Sequence, residues 1–171
     1  MSATPHPLLG RWLFASISKH FNDRRGSFYM YVEGQPRDAT APKDFFELRI
    51  DGPDYKELSK NYWSIYLEVN CLVQSACDDT NYQRIHDNCG KVAYMFDDIL
   101  VYRYGEKDPT KPLYDPENDD SFIGCLKLEQ SPGKTGEKLV TRNFGIIEQS
   151  TLLMQSCVEG HYSMEYTKQE G

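Results

Sequence analysis

The segment Tyr62-Trp-Ser-Ile-Tyr-Leu-Glu-Val-Asn-Cys-Leu-Val-Gln-Ser75 decides the fold of this chain. Its odd-numbered positions from Trp63 to Val73 carry apolar side chains or cysteine, whereas its even-numbered positions are mostly polar or tyrosine. Alternation with a period of two is typical of a β-strand with one buried face and one wetter face. Fourteen residues at ~3.3 Å each would span roughly 45 Å, which is long for a strand in a small domain. We therefore expect a long central strand, in a sheet that bends around a core or continues into a neighbouring subunit.

Two amphipathic helices are predicted, one on each side of this strand in the chain. Apolar residues recur at spacings of three and four before and after it, which indicates one buried stripe on each helix. Gly26 is suited to end the first helix, and the second is expected over about 80–97. The residues of the two stripes are Leu9, Leu13, Ile17 and Phe21, then Tyr82, Ile85, Cys89, Val92 and Phe96.

Further strands are predicted from shorter alternating runs at 28–33, 46–50 and 99–102. Segment 51–53 is expected to be a turn, and 54–61 to add a helical turn before the long strand. A hairpin is predicted between 122–129 and 138–147, and the last strand is expected over 152–166, where Gly160 permits a bulge. This order predicts one α+β domain over 1–171: an antiparallel-rich twisted sheet, two helices on one face, and an extra β-hairpin insertion within 104–148.

The composition limits the function classes. The net charge is −7, and it is unevenly placed: residues 1–60 carry 9 basic and 8 acidic groups (+1), and residues 61–171 carry 10 and 18 (−8). Such a chain is not expected to bind nucleic acid by neutralising phosphates. Five cysteines without a C-x-x-C motif favour free thiols in a reducing compartment. We expect neither a signal peptide nor a membrane span, and therefore a soluble protein made in a cytoplasm.

Two partial ligand motifs are incomplete. Gly133-Lys-Thr135 resembles the end of a phosphate-binding loop, but the first glycine of that motif is replaced by Leu128. The acidic run 115–120 resembles a calcium loop, but it has Asp120 where the glycine belongs and Leu126 where the final glutamate belongs. A hairpin turn and a solvated acidic loop are the simpler interpretations, and we expect no cofactor and no metal.

Cysteine and histidine are close in sequence at two places, at His86 and Cys89 and at Cys157 and His161. A thiolate–imidazole pair would be nucleophilic, so a small Cys/His-dependent enzyme stays an alternative. No third orienting group is visible at helical spacing, and the expectation is that the chain is not an enzyme. A monomeric binding module that uses the aromatic strand faces is a further alternative.

The order of elements resembles the tail terminator, or tail-completion, proteins of long-tailed bacteriophages. The features that carry it are the first helix, the aromatic strand 28–33, the long strand 62–75, the second helix and the closing strand up to Tyr166. The resemblance implies a virion protein without catalytic residues, assembled in the host cytoplasm, whose homohexameric ring caps the tail tube at its final length. The implied partners are further copies of the chain, the major tail tube protein and the head-completion or connector protein. DNA would pass through the ring without specific binding, and another neck or minor tail protein is the alternative within the virion.

Two sets of candidate site residues follow. Positive and aromatic groups are candidates for subunit or partner contacts: Arg24, Arg25, Arg37, Tyr62 and Tyr66. Arg24 and Arg25 could equally complement the dipole of the first helix. Acidic groups are candidates for the lumen, where like charge would let DNA slide: Glu68, Asp97, Asp98, Asp119 and Asp120.

Overall fold

The computed structural model describes residues 2–35, 44–77, 83–104, 121–130, 137–149 and 152–168. Two helices and seven strands form within these ranges. In chain order they are α1 (Leu9–Arg24), β1 (Tyr29–Val32), β2 (Phe45–Ser59), β3 (Tyr62–Ala76), α2 (Arg84–Met95), β4 (Ile99–Tyr102), β5 (Phe122–Glu129), β6 (Leu139–Glu148) and β7 (Leu153–Thr167).

The strands form one strongly curled sheet with the order β1-β2-β3-β7-β5-β4, and β6 pairs with β7 beside this path. β3 lies near the middle and pairs antiparallel with β2 on one edge and with β7 on the other. All pairs are antiparallel except β1 with β2, which are parallel. The predicted α+β class is confirmed, with β3 as the long central strand.

The core forms between the two helices and one face of the sheet. Every odd-numbered side chain of β3 from Trp63 to Val73 is at most 6% exposed, as the alternation predicted. The same core cluster contains the predicted apolar stripes of the two helices, except Tyr82, which lies outside the described residues. Each large aliphatic or aromatic side chain buried in this way contributes about 1.5–3 kcal/mol. On the opposite face Tyr66 is 48% exposed and Glu68 and Asn70 are half-buried, so the even-numbered face is the wetter one.

The helical turn predicted at 54–61 is wrong, because β2 continues as a strand to Ser59. Ser59 pairs with Tyr62 across a two-residue turn, in which Asn61 has a φ of 66°. The predicted turn at 51–53 is an irregularity within β2, with a register shift between Asp51 and Asp54. Strand pairing prevails here because the backbone groups along the edge of β3 need hydrogen-bond partners.

The predicted hairpin between 122–129 and 138–147 has the wrong pairing. Both strands form, but β5 pairs with β4 and β7, while β6 pairs with β7 alone among the described residues. β7 offers one edge to β3 along its whole length, and its other edge is long enough for β6 and β5 to lie end to end. The bulge that Gly160 would permit does not form in the β3–β7 pairing, since the register runs through Gly160 without a shift.

The helix predictions are confirmed, with shorter bounds for α2. Gly26 follows α1 with a φ of 59°, a conformation that glycine adopts without strain. The acidic run 115–120 and the Gly133-Lys-Thr135 turn lie outside the described residues. Neither described helix is long and apolar enough to cross a lipid bilayer.

Candidate functional site

An open groove of about 850 Å³ lies on the face of the sheet opposite the helices. We call it the acidic groove, because four carboxylates and neither lysine nor arginine line it. β2, β3, β5 and β7 position its side chains through their cross-strand register. The lining residues are Asp51, Gly52, Asp54, Tyr66, Leu67, Glu68, Glu129, Gln130, His161, Tyr162 and Ser163.

A row of ionisable side chains crosses the floor of the acidic groove. Asp51 lies opposite Glu68, Glu68 lies opposite His161, and His161 lies opposite Glu129. Two of the carboxylates are held in place. Asn70 Nδ2 donates to Asp51 Oδ2 at 3.1 Å, and Ser163 Oγ donates to Glu129 Oε1 at 2.7 Å.

The pairing of Asp51 with Glu68 is unfavourable for the isolated chain. Like charges directly opposite each other in an antiparallel pair destabilise a sheet. Among the lining residues, His161 has the only basic side chain. A positively charged partner would therefore bind here with a favourable electrostatic term.

A second groove, of about 460 Å³, lies between the C-terminal halves of α1 and α2. We call it the basic groove, because three cations and no carboxylate line it. Its apolar floor includes Phe28 and Met95, and Tyr94 beside it is 92% exposed. The lining residues are Arg24, Arg25, Gly26, Phe28, Gly90, Lys91, Tyr94 and Met95.

The two arginines of the basic groove are anchored to the end of α1. Arg24 donates to the carbonyl oxygen of His20 at 3.2 Å. Arg25 donates through Nε to Asn22 Oδ1 at 2.8 Å and through a terminal nitrogen to the carbonyl oxygen of Phe28 at 3.1 Å. The Arg24 bond goes to a carbonyl oxygen in the last turns of α1, whereas the Arg25 bonds join the helix end to the segment before β1. They also hold both guanidinium groups at the groove, while a partner contact stays a prediction.

The other predicted site residues lie apart from the two grooves. Tyr62 begins β3, where a hydrogen bond with Glu165 raises the pKa of the phenol. Asp97 and Asp98 are exposed between α2 and β4, and Asp98 Oδ1 accepts a hydrogen bond from the backbone N–H of Leu128 at 3.0 Å. Arg37, Asp119 and Asp120 lie outside the described residues. Of the predicted sites, the structure thus brings Tyr66 together with Glu68, and Arg24 with Arg25.

The thiols of Cys89 and Cys157 are buried, and burial disfavours the charged thiolate form. Burial raises the pKa of Cys89, and it raises that of Cys157 to about 11. Cys89 is buried whereas His86 is exposed, and Cys157 is roughly 13 Å along β7 from His161. A nucleophilic cysteine needs a lowered pKa, so neither pair supports the enzyme alternative. Within the described ranges, no three or more His, Cys, Asp and Glu side chains are grouped to hold a metal ion.

Residues from distant parts of the chain contribute to both grooves, and the sequence reasoning missed several of them: Asp51, Asp54, Glu129, Lys91 and Tyr94. Asp51 had a detectable signal, because continuing the alternation of Phe46, Leu48 and Ile50 places it on the wet face. Tyr94 and Lys91 lie off the apolar stripe of α2, but nothing in the sequence pairs that side of α2 with the end of α1.

The sequence matches no family model, and no curated protein matches it.

Proposed function

We propose that this chain is a ring-forming tail terminator of a long-tailed bacteriophage. In this role it is a structural virion protein that caps the tail tube at its final length and joins it to the head-side connector. The resemblance in element order suggests this function, and one structural observation supports it best. An open groove lies on the face of β3 that carries its even-numbered side chains, and its lining residues include four carboxylates and one histidine but neither lysine nor arginine.

An uncovered, charged sheet face is suited to assembly. The two helices supply the core on one face of β3, and on the opposite face the open groove beside Tyr66, which is 48% exposed, is available to another molecule. Asp51 and Glu68 lie directly opposite each other in the isolated chain, and a partner with positive charge would offset their repulsion. An assembly surface explains why such a row stands on an otherwise well-packed sheet.

DNA passage requires a lumen that phosphates do not bind. Asp97 and Asp98 are exposed, and the net charge of −7 repels phosphate at a distance. We propose that these two aspartates face the lumen, as the sequence suggested, while the acidic groove faces a neighbouring subunit. Arg37, Asp119 and Asp120 keep their predicted roles as proposals from sequence.

The test is to purify the chain, image it by negative-stain electron microscopy alone and with purified tail tubes, and weigh the particles by mass photometry. We expect rings of about six subunits, either in solution or at one end of each tube. A chain that stays monomeric and leaves tube ends bare would overturn the proposal. Rings that form in solution but leave tube ends bare would instead favour another neck protein.

A further inference from the structure

The two grooves carry opposite charge on opposite sides of the same sheet. Four carboxylates line the acidic groove without lysine or arginine, and three cations line the basic groove without aspartate or glutamate. The core of the domain separates them, because α1 and α2 cover one face of β3 and the acidic groove lies on the other. The charged side chains of the two grooves therefore cannot contact each other within one chain.

Both grooves also have the side chains that dominate protein interfaces. Each has an exposed tyrosine, Tyr66 at 48% and Tyr94 at 92% exposure. Tyrosine and arginine are enriched at interface centres, and tyrosine buries a large area at little cost in side-chain entropy. Arg25 is already held by two hydrogen bonds, so it loses little side-chain freedom when it binds a carboxylate.

We infer that the basic groove of one copy of this chain docks on the acidic groove of the next copy. Arg24, Arg25 and Lys91 then lie against the carboxylates of the neighbour, and Tyr94 enters the groove beside Tyr66. The inference rests on the proposed ring function and specifies its subunit contact. Glu68 is thereby a residue of the subunit interface rather than of the DNA lumen.

The symmetry of such a contact follows from the two surfaces. A twofold dimer needs one self-complementary surface, whereas here two different surfaces complement each other. An open assembly has a free acidic groove at one end and a free basic groove at the other. Further copies can therefore bind by the same contact until a ring closes. This is the type of contact that a cyclic tail protein requires.

Charge reversal tests the contact in the full-length chain. The first variant, Arg24→Glu with Lys91→Glu, makes both grooves acidic. The second, Asp54→Lys with Glu68→Lys and Glu129→Lys, makes both grooves basic, because three lysines then face the one remaining carboxylate of Asp51. These positions leave the hydrogen bonds of Arg25 and Asp51 in place, and an unchanged urea midpoint will show that each variant still folds.

We expect each variant alone to assemble on the order of 100-fold more weakly than the original chain, because like charges then meet at the contact. An equimolar mixture of the two variants should assemble again in alternation, with a midpoint within about tenfold of the original. Mass photometry over a concentration series measures the assembly of each variant and of the mixture. Assembly that either reversal leaves unchanged, or a mixture that assembles no better than its components, would overturn the contact.

Zero-length crosslinking of the original chain gives a second test that needs no reversal. A carbodiimide couples a lysine amine to a carboxylate with which it is in contact. In a mixture of ¹⁵N-labelled and unlabelled protein, Lys91 should be linked between copies to Asp54, Glu68 or Glu129. Lys91→Arg is the matched control, because it keeps the charge and should lose the link. Links from Lys91 to other surfaces only would contradict the proposal.

The two proposals fail in different ways. If the original chain forms no ring alone or on tail tubes, the ring function is wrong and this contact falls with it. If rings form but neither the reversals nor the crosslinks involve the grooves, only the contact assigned here is wrong.

Discussion

Gly160 in β7 gives the sharpest prediction about the packing of the core. A methyl group at this position would lie 2.8 Å from Phe96 Cδ1 and Cε1 and 3.1 Å from Leu128 Cδ1. Carbon atoms in contact prefer about 3.5–4.0 Å, so the phenyl ring would have to withdraw by roughly 1 Å. Gly160→Ala is therefore expected to overpack the core.

The cost depends on how freely the phenyl ring can move. Phe96 packs edge-on against Phe21 at 5.1 Å between ring centroids and is stacked with Tyr162 at 6.5 Å, so neighbours restrain it on two sides. Overpacking costs about 1–3 kcal/mol, and the reduced entropy of the unfolded chain returns about 0.4–1 kcal/mol. We expect Gly160→Ala to lower the free energy of unfolding by about 1–2 kcal/mol, and the midpoint temperature by roughly 2–8 °C.

Urea unfolding followed by circular dichroism at matched protein concentration measures this change. Gly90→Ala is the control, because a Cβ at Gly90 meets nothing within 4 Å and the residue lies inside α2. That variant should gain up to about 1 kcal/mol from helix propensity. If Gly160→Ala leaves the urea midpoint unchanged or raises it, the packing of Phe96 against β7 is not as described.

Three further predictions concern the strand faces, a thiol and a histidine. Glu68→Lys should change the free energy of unfolding by less than about 0.5 kcal/mol, whereas Leu67→Ala should cost about 2–5 kcal/mol; comparable urea midpoints would contradict the assignment of faces. Cys157 should react slowly with iodoacetamide at pH 8 in the native chain and quickly in urea, because its pKa of about 11 keeps the thiol protonated; equal rates would contradict this. Burial lowers the pKa of His20 below 6.5, and the ring bonds to the carbonyl oxygen of Met95 at 3.0 Å. The stability linked to this histidine is thus present above pH 6.5 and is lost as the pH falls through the folded-state pKa. His20→Gln should therefore make the urea midpoint depend less on pH between pH 5 and 7.

Much of the fold could be predicted because its signals are local. Alternation from Trp63 to Val73 places those side chains in the core whatever strand lies next to them, since successive side chains point to opposite faces. The stripes of α1 and α2 are equally local, because residues three and four apart share one helix face.

Most errors concern which strands pair, and one concerns the type of an element. The hairpin between β5 and β6 was the natural prediction for consecutive strands, but the long edge of β7 accommodates both. The segment after Pro53 has weak alternation and was predicted as a helical turn, yet it pairs with β3. Which strands meet depends on long-range hydrogen bonding that no local pattern contains.

The sequence alone determined the α+β class, the central strand and the side of that strand that is buried, because side-chain periodicity decides which face leaves water. Only the tertiary structure decided which charges lie together. The acidic groove joins Asp51, Glu68, Glu129 and His161 from four strands, and the basic groove joins the ends of two helices more than sixty residues apart in the chain. Electrostatic interaction depends on distance in space, and the pairing of β2, β3, β7 and β5 sets the distances across the acidic groove.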